Sequence, residues 1–238
     1  MPHSSAPSAA VTPPQGRSHA AWSVPLYGLD IETDTTVDGL DPACATVVAI
    51  GLATPERDEV FLGDEADILR RVDRRLRELP PGVVVTWNGC SFDLPFLAIR
   101  AAVCDTPLGL ELWCRTGADA GASLPDVCWP PPPQGFGGRW APHAHLDGYL
   151  TYRADVRRSL GLSCGLKAMS RLVGLQPVEV DYDQLHTLSD HDLAAYVASD
   201  ARLACRLVQR RLPAVLAAVD RPTGERGPLP GLPVAVAG

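Results

Sequence analysis

The patterned part of the chain opens with three apolar stretches of strand length, at 24–31, 46–53 and 59–62, the last two joined through Thr54-Pro55-Glu56-Arg57. Short β-rich runs separated by turn residues predict an antiparallel meander. The period then changes. Ile68, Leu69, Val72, Leu76 and Leu79 recur at helical spacing across 64–79, with Arg70, Arg71, Arg74 and Arg75 on the solvated face. A further β-rich run, 83–87, is stopped by Asn88-Gly89, and residues 93–103 read as a helix with Pro95 in its first turn. Residues 115–142 are dense in glycine and proline, including Pro130 to Pro133, and predict irregular chain. So long a connection is uncommon in a compact domain unless it lines or lids a site. Order resumes at His145-Leu146-Asp147 and in a helix near 166–173. A long last helix starts near Ser189, where Ser189-Asp190-His191-Asp192 resembles a capping box with Asp in the fourth position. This succession predicts one α/β domain over 23–219, with a mixed sheet of about five strands flanked by helices. The flanks 1–22 and 220–238, without periodicity and rich in small residues and proline, are expected to be flexible tails.

Three segments break the pattern by placing acid where an apolar, core-facing side chain belongs: Asp30-Ile31-Glu32-Thr33, Asn88-Gly89-Cys90-Ser91-Phe92-Asp93, and the last helix from Tyr196 to Asp200. Side chains alternate along a strand, so Asp30 and Glu32 share one face and Ile31 takes the other. At about 100° per residue, Asp200 falls inside the apolar stripe of Leu193, Val197, Ala204 and Leu207, with Tyr196 one turn before it. An ionised carboxylate in such a place needs a cation or hydrogen-bond donors. Taken alone, Asp93 at a helix start also suits the helix dipole. Taken together, the acids read as a site for a hard divalent cation, which takes oxygen ligands.

Composition narrows the field. The length, 238 residues, suits one sizeable domain, and no apolar run is long enough to cross a membrane. No basic patch followed by an apolar core stands at the N-terminus, so no signal peptide is expected and the expected location is the cytoplasm. Seven dispersed cysteines without a Cys-x-x-Cys pair argue against a disulfide framework and a thiolate zinc site. His143 and His145 lie on one strand face but lack the partners that zinc requires. A net charge of −7 would argue against a polyanionic partner. Clustered carboxylates neutralised by divalent ions remove that objection.

The three acidic segments resemble the exonuclease motifs of the DEDDy 3′-to-5′ exonucleases in the ribonuclease H-like superfamily. Asp30-Ile31-Glu32-Thr33 is similar to the first motif, Asn88-Gly-x-x-Phe92-Asp93 to the second, and Tyr196-x-x-x-Asp200 to the third; residues 88–97 most resemble the exonuclease domain of family B DNA polymerases and its stand-alone relatives. The resemblance implies a ribonuclease H-like fold and hydrolysis of phosphodiester bonds at single-stranded 3′ ends, releasing nucleoside 5′-monophosphates, with DNA slightly favoured over RNA. It implies two divalent cations, Mg2+ or Mn2+, held by Asp30, Glu32, Asp93 and Asp200, with Tyr196 orienting the attacking water. Thr33, Asn88 and Phe92 would contact the terminal nucleotide, and Asp147 would act behind the metal ligands or structurally. Lys167 and Arg171 are read as exposed residues able to grip phosphate. No polymerase palm or fingers pattern follows, so a stand-alone nuclease is expected. The alternative is a catalytically inactive module of the same fold that binds nucleic acid or serves as a scaffold.

Overall fold

The computed structural model describes residues 24–115, 127–157 and 161–211. The expected tails at 1–22 and 220–238 lie outside the described residues, as do 116–126 of the 115–142 segment. In chain order the elements are β1 (Leu26–Thr33), β2 (Val47–Ala53), β3 (Asp58–Leu62), α1 (Glu65–Glu78), β4 (Val83–Thr86) and α2 (Asp93–Val103). There follow β5 (Leu110–Cys114), β6 (Phe136–Trp140), β7 (His143–Asp147), α3 (Gly148–Tyr152), α4 (Leu166–Leu172) and α5 (Asp190–Gln209). One turn of π-helix at Arg153–Arg157 and a 3-10 turn at Tyr182–Thr187 complete the set.

The strands form one seven-stranded sheet in the order β3-β2-β1-β4-β7-β6-β5. β1, β2 and β3 pair antiparallel as the expected meander. β4 lies parallel to β1 and β7 parallel to β4, so three strands end on the same edge, where ligands of open α/β sheets gather. β5 and β6 extend the far side by antiparallel pairing.

Alternation along β1 divides the molecule into two layers. Tyr27, Leu29 and Ile31 face Ile68, Leu69, Val72 and Leu76 of α1 and Phe96 and Leu97 of α2. Leu26, Val83, Val85 and Leu146 face Ala204, Cys205, Leu207 and Val208 of α5. On this face α5 packs across the sheet, with Tyr152 of α3 and Met169 of α4 in the same cluster. Its start follows the expected capping logic: Ser189 Oγ accepts the Asp192 N–H at 3.2 Å and donates to Asp192 Oδ2 at 2.7 Å.

Two strands were not anticipated, which raises the count from about five to seven. β6 falls inside the stretch expected to be irregular, and its glycines hid it. A Cβ at Gly137 would sit 2.1 Å from Trp113 Nε1, so glycine here admits the neighbouring indole and leaves no strand-like residue to read. Asp73 of α1 then pins the added strands, accepting Trp140 Nε1–H at 2.8 Å and Gly109 N–H at 2.6 Å. α1 itself is less simply amphipathic than its pattern. Arg75 is half-buried and closes on Glu59 of β3 at 2.8 Å, while Arg70 and Arg74 are exposed as expected.

A buried ion pair joins the start of α1 to α2. Arg100 Nη2 donates to Glu65 Oε2 at 2.6 Å and Arg100 Nη1 to the Pro42 carbonyl at 3.0 Å. Glu65 also accepts the Val47 N–H at 2.8 Å. A pair this enclosed holds only while each lone pair and proton is used, and here it fixes the loop that follows β1. None of the seven cysteines is disulfide-bonded. Among the described residues no helix is long and apolar enough to cross a membrane.

Candidate metal centre

Asp30 and Glu32 stand at the carboxyl end of β1 on the face that carries α5. The helix reaches them because two glycines let its backbone touch the sheet. A Cβ at Gly28 would lie 1.9 Å from the Ala201 carbonyl oxygen, and one at Gly51 would lie 2.5 Å from that of Val197. Gly51 is the register partner of Asp30, so the helix backbone passes close beside that acid and delivers Asp200 to it. Carboxylate oxygens of Asp30, Glu32 and Asp200 all lie within 4.8 Å of one another. Glu32 and Asp200 are buried and Asp30 is half-buried. Val197, Leu207 and Val208 of α5 are fully buried. At about 1.5–3 kcal/mol for each large apolar side chain, this face holds the acid in place despite its cost.

Asp93, the first residue of α2, is buried close enough to repel Asp30 and Glu32 but is not one of that set of three. The backbone N–H groups of its own residue and of Ile31 favour its charged form. The 88–93 turn is held from β7: Asp147 accepts the Asn88 N–H at 2.9 Å, the Cys90 N–H at 3.1 Å and the Tyr149 N–H at 2.9 Å. Asp147 thus spends its oxygens on backbone and positions the segment that carries Asp93. Asn88 sits at φ 72°, the left-handed region that Asn tolerates.

Thr33 is buried and donates its hydroxyl to the Gly39 carbonyl at 2.6 Å. Phe92 packs on Phe96 and on Trp129, with ring centroids at 5.4 and 6.1 Å. Trp129 comes from the proline-rich stretch, whose described part therefore has at least one packing role beside the second motif. His143 and His145 are both taken by protein partners. His143 receives the Gly82 N–H at 3.1 Å and reaches the Leu76 carbonyl at 2.6 Å, and His145 reaches Thr86 Oγ1 at 2.9 Å.

Tyr196 lies half-buried one turn before Asp200. Lys167, expected to be exposed, is half-buried instead. Its ammonium donates to Asp200 Oδ1 and lies 4.2 Å from the centroid of the Tyr196 ring. This pairing was not legible in the sequence. The available signal was that the one lysine of the chain stands in a helix, and nothing in the spacing says that this helix leans on the site. Arg171, by contrast, is exposed and pairs with Glu179.

The electrostatics are those of crowded, buried carboxylates. Desolvation, then repulsion by Asp200 and Asp93, pushes Glu32 from its ordinary 4.5 to about 8, with Lys167 working against the rise. Asp93 is pushed to about 7, mainly by desolvation and then by Asp147, against the two backbone N–H groups. Desolvation and the neighbouring acids raise Asp30 well above the carboxylate range. Desolvation likewise raises Asp200 although Lys167 opposes it.

Between pH 4.5 and about 8 the folded protein then holds more protons than the unfolded chain, so stability is highest on the acid side and falls as pH rises through that window. Thermal melts in chelator should show the melting temperature dropping steadily from about pH 5 to about pH 8. A flat or rising profile would contradict the raised values.

Known proteins share parts of this sequence and geometry. A sequence model described as the exonuclease domain of DNA polymerase family B matches residues 46–120, a stretch that contains the Asn88 to Asp93 segment. A DNA polymerase epsilon catalytic subunit of Arabidopsis thaliana is 29% identical over 143 residues, which is 58% of this chain and 6% of that protein. The corresponding catalytic subunit of Schizosaccharomyces pombe DNA polymerase epsilon is 30% identical over 145 residues, with the same coverage of 58% and 6%. The chain thus spans only a small fraction of the length of these curated relatives. Among solved structures, the family B DNA polymerase from the hyperthermophilic archaeon Pyrobaculum calidifontis matches 80% of this chain and 25% of its own at a TM-score of 0.60 and 22% identity. That likeness shows the ribonuclease H-like fold.

Proposed function

For a chain that is a relative of the exonuclease domain of family B DNA polymerases, we propose a metal-dependent 3′-to-5′ exonuclease of the DEDDy type, acting on single-stranded 3′ ends. The observation that carries this reading is the convergence of Asp30, Glu32 and Asp200 oxygens within 4.8 Å at the carboxyl edge of the sheet. The donor set is all oxygen and mutually repulsive, which suits Mg2+ or Mn2+. Asp30, Glu32 and Asp200 would hold one ion, and Asp93 would join Asp30 in holding a second. When bound, such ions lower the pKa of a water and stabilise a leaving 3′ oxygen.

The remaining work falls to the protein's own side chains. Tyr196 is placed one turn from Asp200, where its hydroxyl would orient the attacking water, a task for a donor more than for a strong base. Asn88 and Phe92 stand beside Asp93 and would receive the terminal nucleotide, Phe92 by stacking that tolerates any base. Thr33 has already donated its hydroxyl to Gly39, so its contact would come through the backbone. Asp147 would act by holding the Asn88 to Cys90 turn. We place the nuclease unit at 23–219 and, in keeping with seven cysteines and no disulfide, in the cytoplasm.

The test is digestion of matched 5′-labelled single-stranded DNA and RNA oligomers with Mg2+ or Mn2+. Stepwise shortening with release of nucleoside 5′-monophosphates is expected, faster on DNA. Intact oligomers under every divalent metal would overturn the assignment.

A further inference from the structure

Lys167 is the only lysine in the chain, and it points into the acid cluster from α4. Its ammonium donates to Asp200 Oδ1 and to the Val178 carbonyl, the latter at 2.9 Å, and rests on the face of Tyr196 at 4.2 Å from the ring centroid. The lysine side chain is 22% exposed and that of Asp200 9%, so water screens the contact poorly. An ammonium carries three protons and no acceptor. Here carboxylate, carbonyl and π face surround it, as they would a bound cation. Its field also reaches Asp30 and Glu32.

A divalent ion shared by Asp30, Glu32 and Asp200 needs the carboxylate that this ammonium already holds, and two cations that close repel each other. On the metal-dependent reading above, we propose that Lys167 is a positioning residue that competes with the divalent ion for Asp200, so that loading of the ion drives the ammonium off the carboxylate. The displacement has a second consequence. Val178 is held at both polar atoms, its carbonyl by Lys167 and its N–H by Ser199 Oγ at 3.2 Å. Ser199 precedes Asp200 on α5, so departure of Lys167 removes one tether on this segment and leaves it Ser199 and the exposed Arg171–Glu179 pair. The state of the metal site is thereby coupled to the 176–180 segment.

The experiment titrates the full chain with Mn2+ alone, without nucleic acid, and reads bound and unbound metal by electron paramagnetic resonance. Lys167→Met keeps the aliphatic stem and removes the competitor; Mn2+ should bind it about tenfold more tightly than wild type. Arg171→Gln, which removes a charge from the same helix away from Asp200, should stay within about twofold on the same scale. Hydrogen exchange of residues 176–180 should accelerate on adding Mn2+ to wild type and be fast in Lys167→Met with or without metal. Unchanged or weaker Mn2+ binding by Lys167→Met, or equal tightening by Arg171→Gln, would overturn the competition. Absence of Mn2+ uptake by wild type and Lys167→Met alike would overturn the metal reading itself, whereas uptake by Lys167→Met alone supports the competition.

Discussion

Asp30→Asn is expected to lower phosphodiester hydrolysis by about 10³-fold or more and, in chelator, to make the protein more stable. Both effects come from one change. Asn keeps the volume of Asp30 but removes a charge that, on the proposed reading, would help hold the ions; such metal stabilisation is worth several kcal/mol, and each 1.36 kcal/mol is about a factor of ten in rate. Without metal the same charge is a burden, because Glu32, Asp200 and Asp93 all push against Asp30. Removing it relieves three repulsions, and each kcal/mol regained should raise the melting temperature by about 2–4 °C for a chain of this size. Single-turnover digestion in Mg2+ and thermal melts in chelator check the two halves. A fully active Asp30→Asn variant, or one that melts lower than wild type in chelator, would show that these acids do not form one functional cluster.

Gly28→Ala is expected to cost about 3 kcal/mol or more of stability and to depress the activity of whatever remains folded. The added methyl would lie 1.9 Å from the Ala201 carbonyl oxygen and 3.1 Å from Cys205 Sγ. The first of these is helix backbone and cannot rotate aside, so α5 must lift from the sheet as a body. Overpacking of a tight core usually costs about 1–3 kcal/mol and sometimes more, and here the obstruction is main chain. Lifting the helix also withdraws Asp200 from Asp30, and a displacement of about 1 Å can cost about 10²-fold in rate. Gly165→Ala is the matched control, since a Cβ there meets only Ser163 Oγ at 3.7 Å. Denaturant melts with digestion assays on both variants decide the matter; a Gly28→Ala protein indistinguishable from wild type would mean that α5 does not rest on the sheet as described.

How far these features could be read from residues alone depended on what each one obeys. β1, β2, β3, α1, α2 and α5 follow local rules of period, turn and cap, and they stand close to where the pattern put them. Asp200 was identifiable because it interrupts an apolar stripe, and Asp30 with Glu32 because they end an apolar strand. β6 was hidden because its two glycines answer to Trp113 and Leu112 across the sheet, a tertiary demand with no local signature. The contact between Lys167 and Asp200 was hidden for the same reason: it joins two helices 33 positions apart. Arg75, read as solvated, is drawn to Glu59 by a partner on another element.

The order of elements has a consequence for the newly made protein. Asp30, Glu32 and Asp93 lie in the first half of the chain, while Asp200 arrives on α5, which also packs on one face of the sheet. A nascent chain can lay down its meander and α2 on the ribosome and still have no closed acid cluster. Closure of the acid cluster therefore arrives together with burial of the hydrophobic face, as a late event of folding.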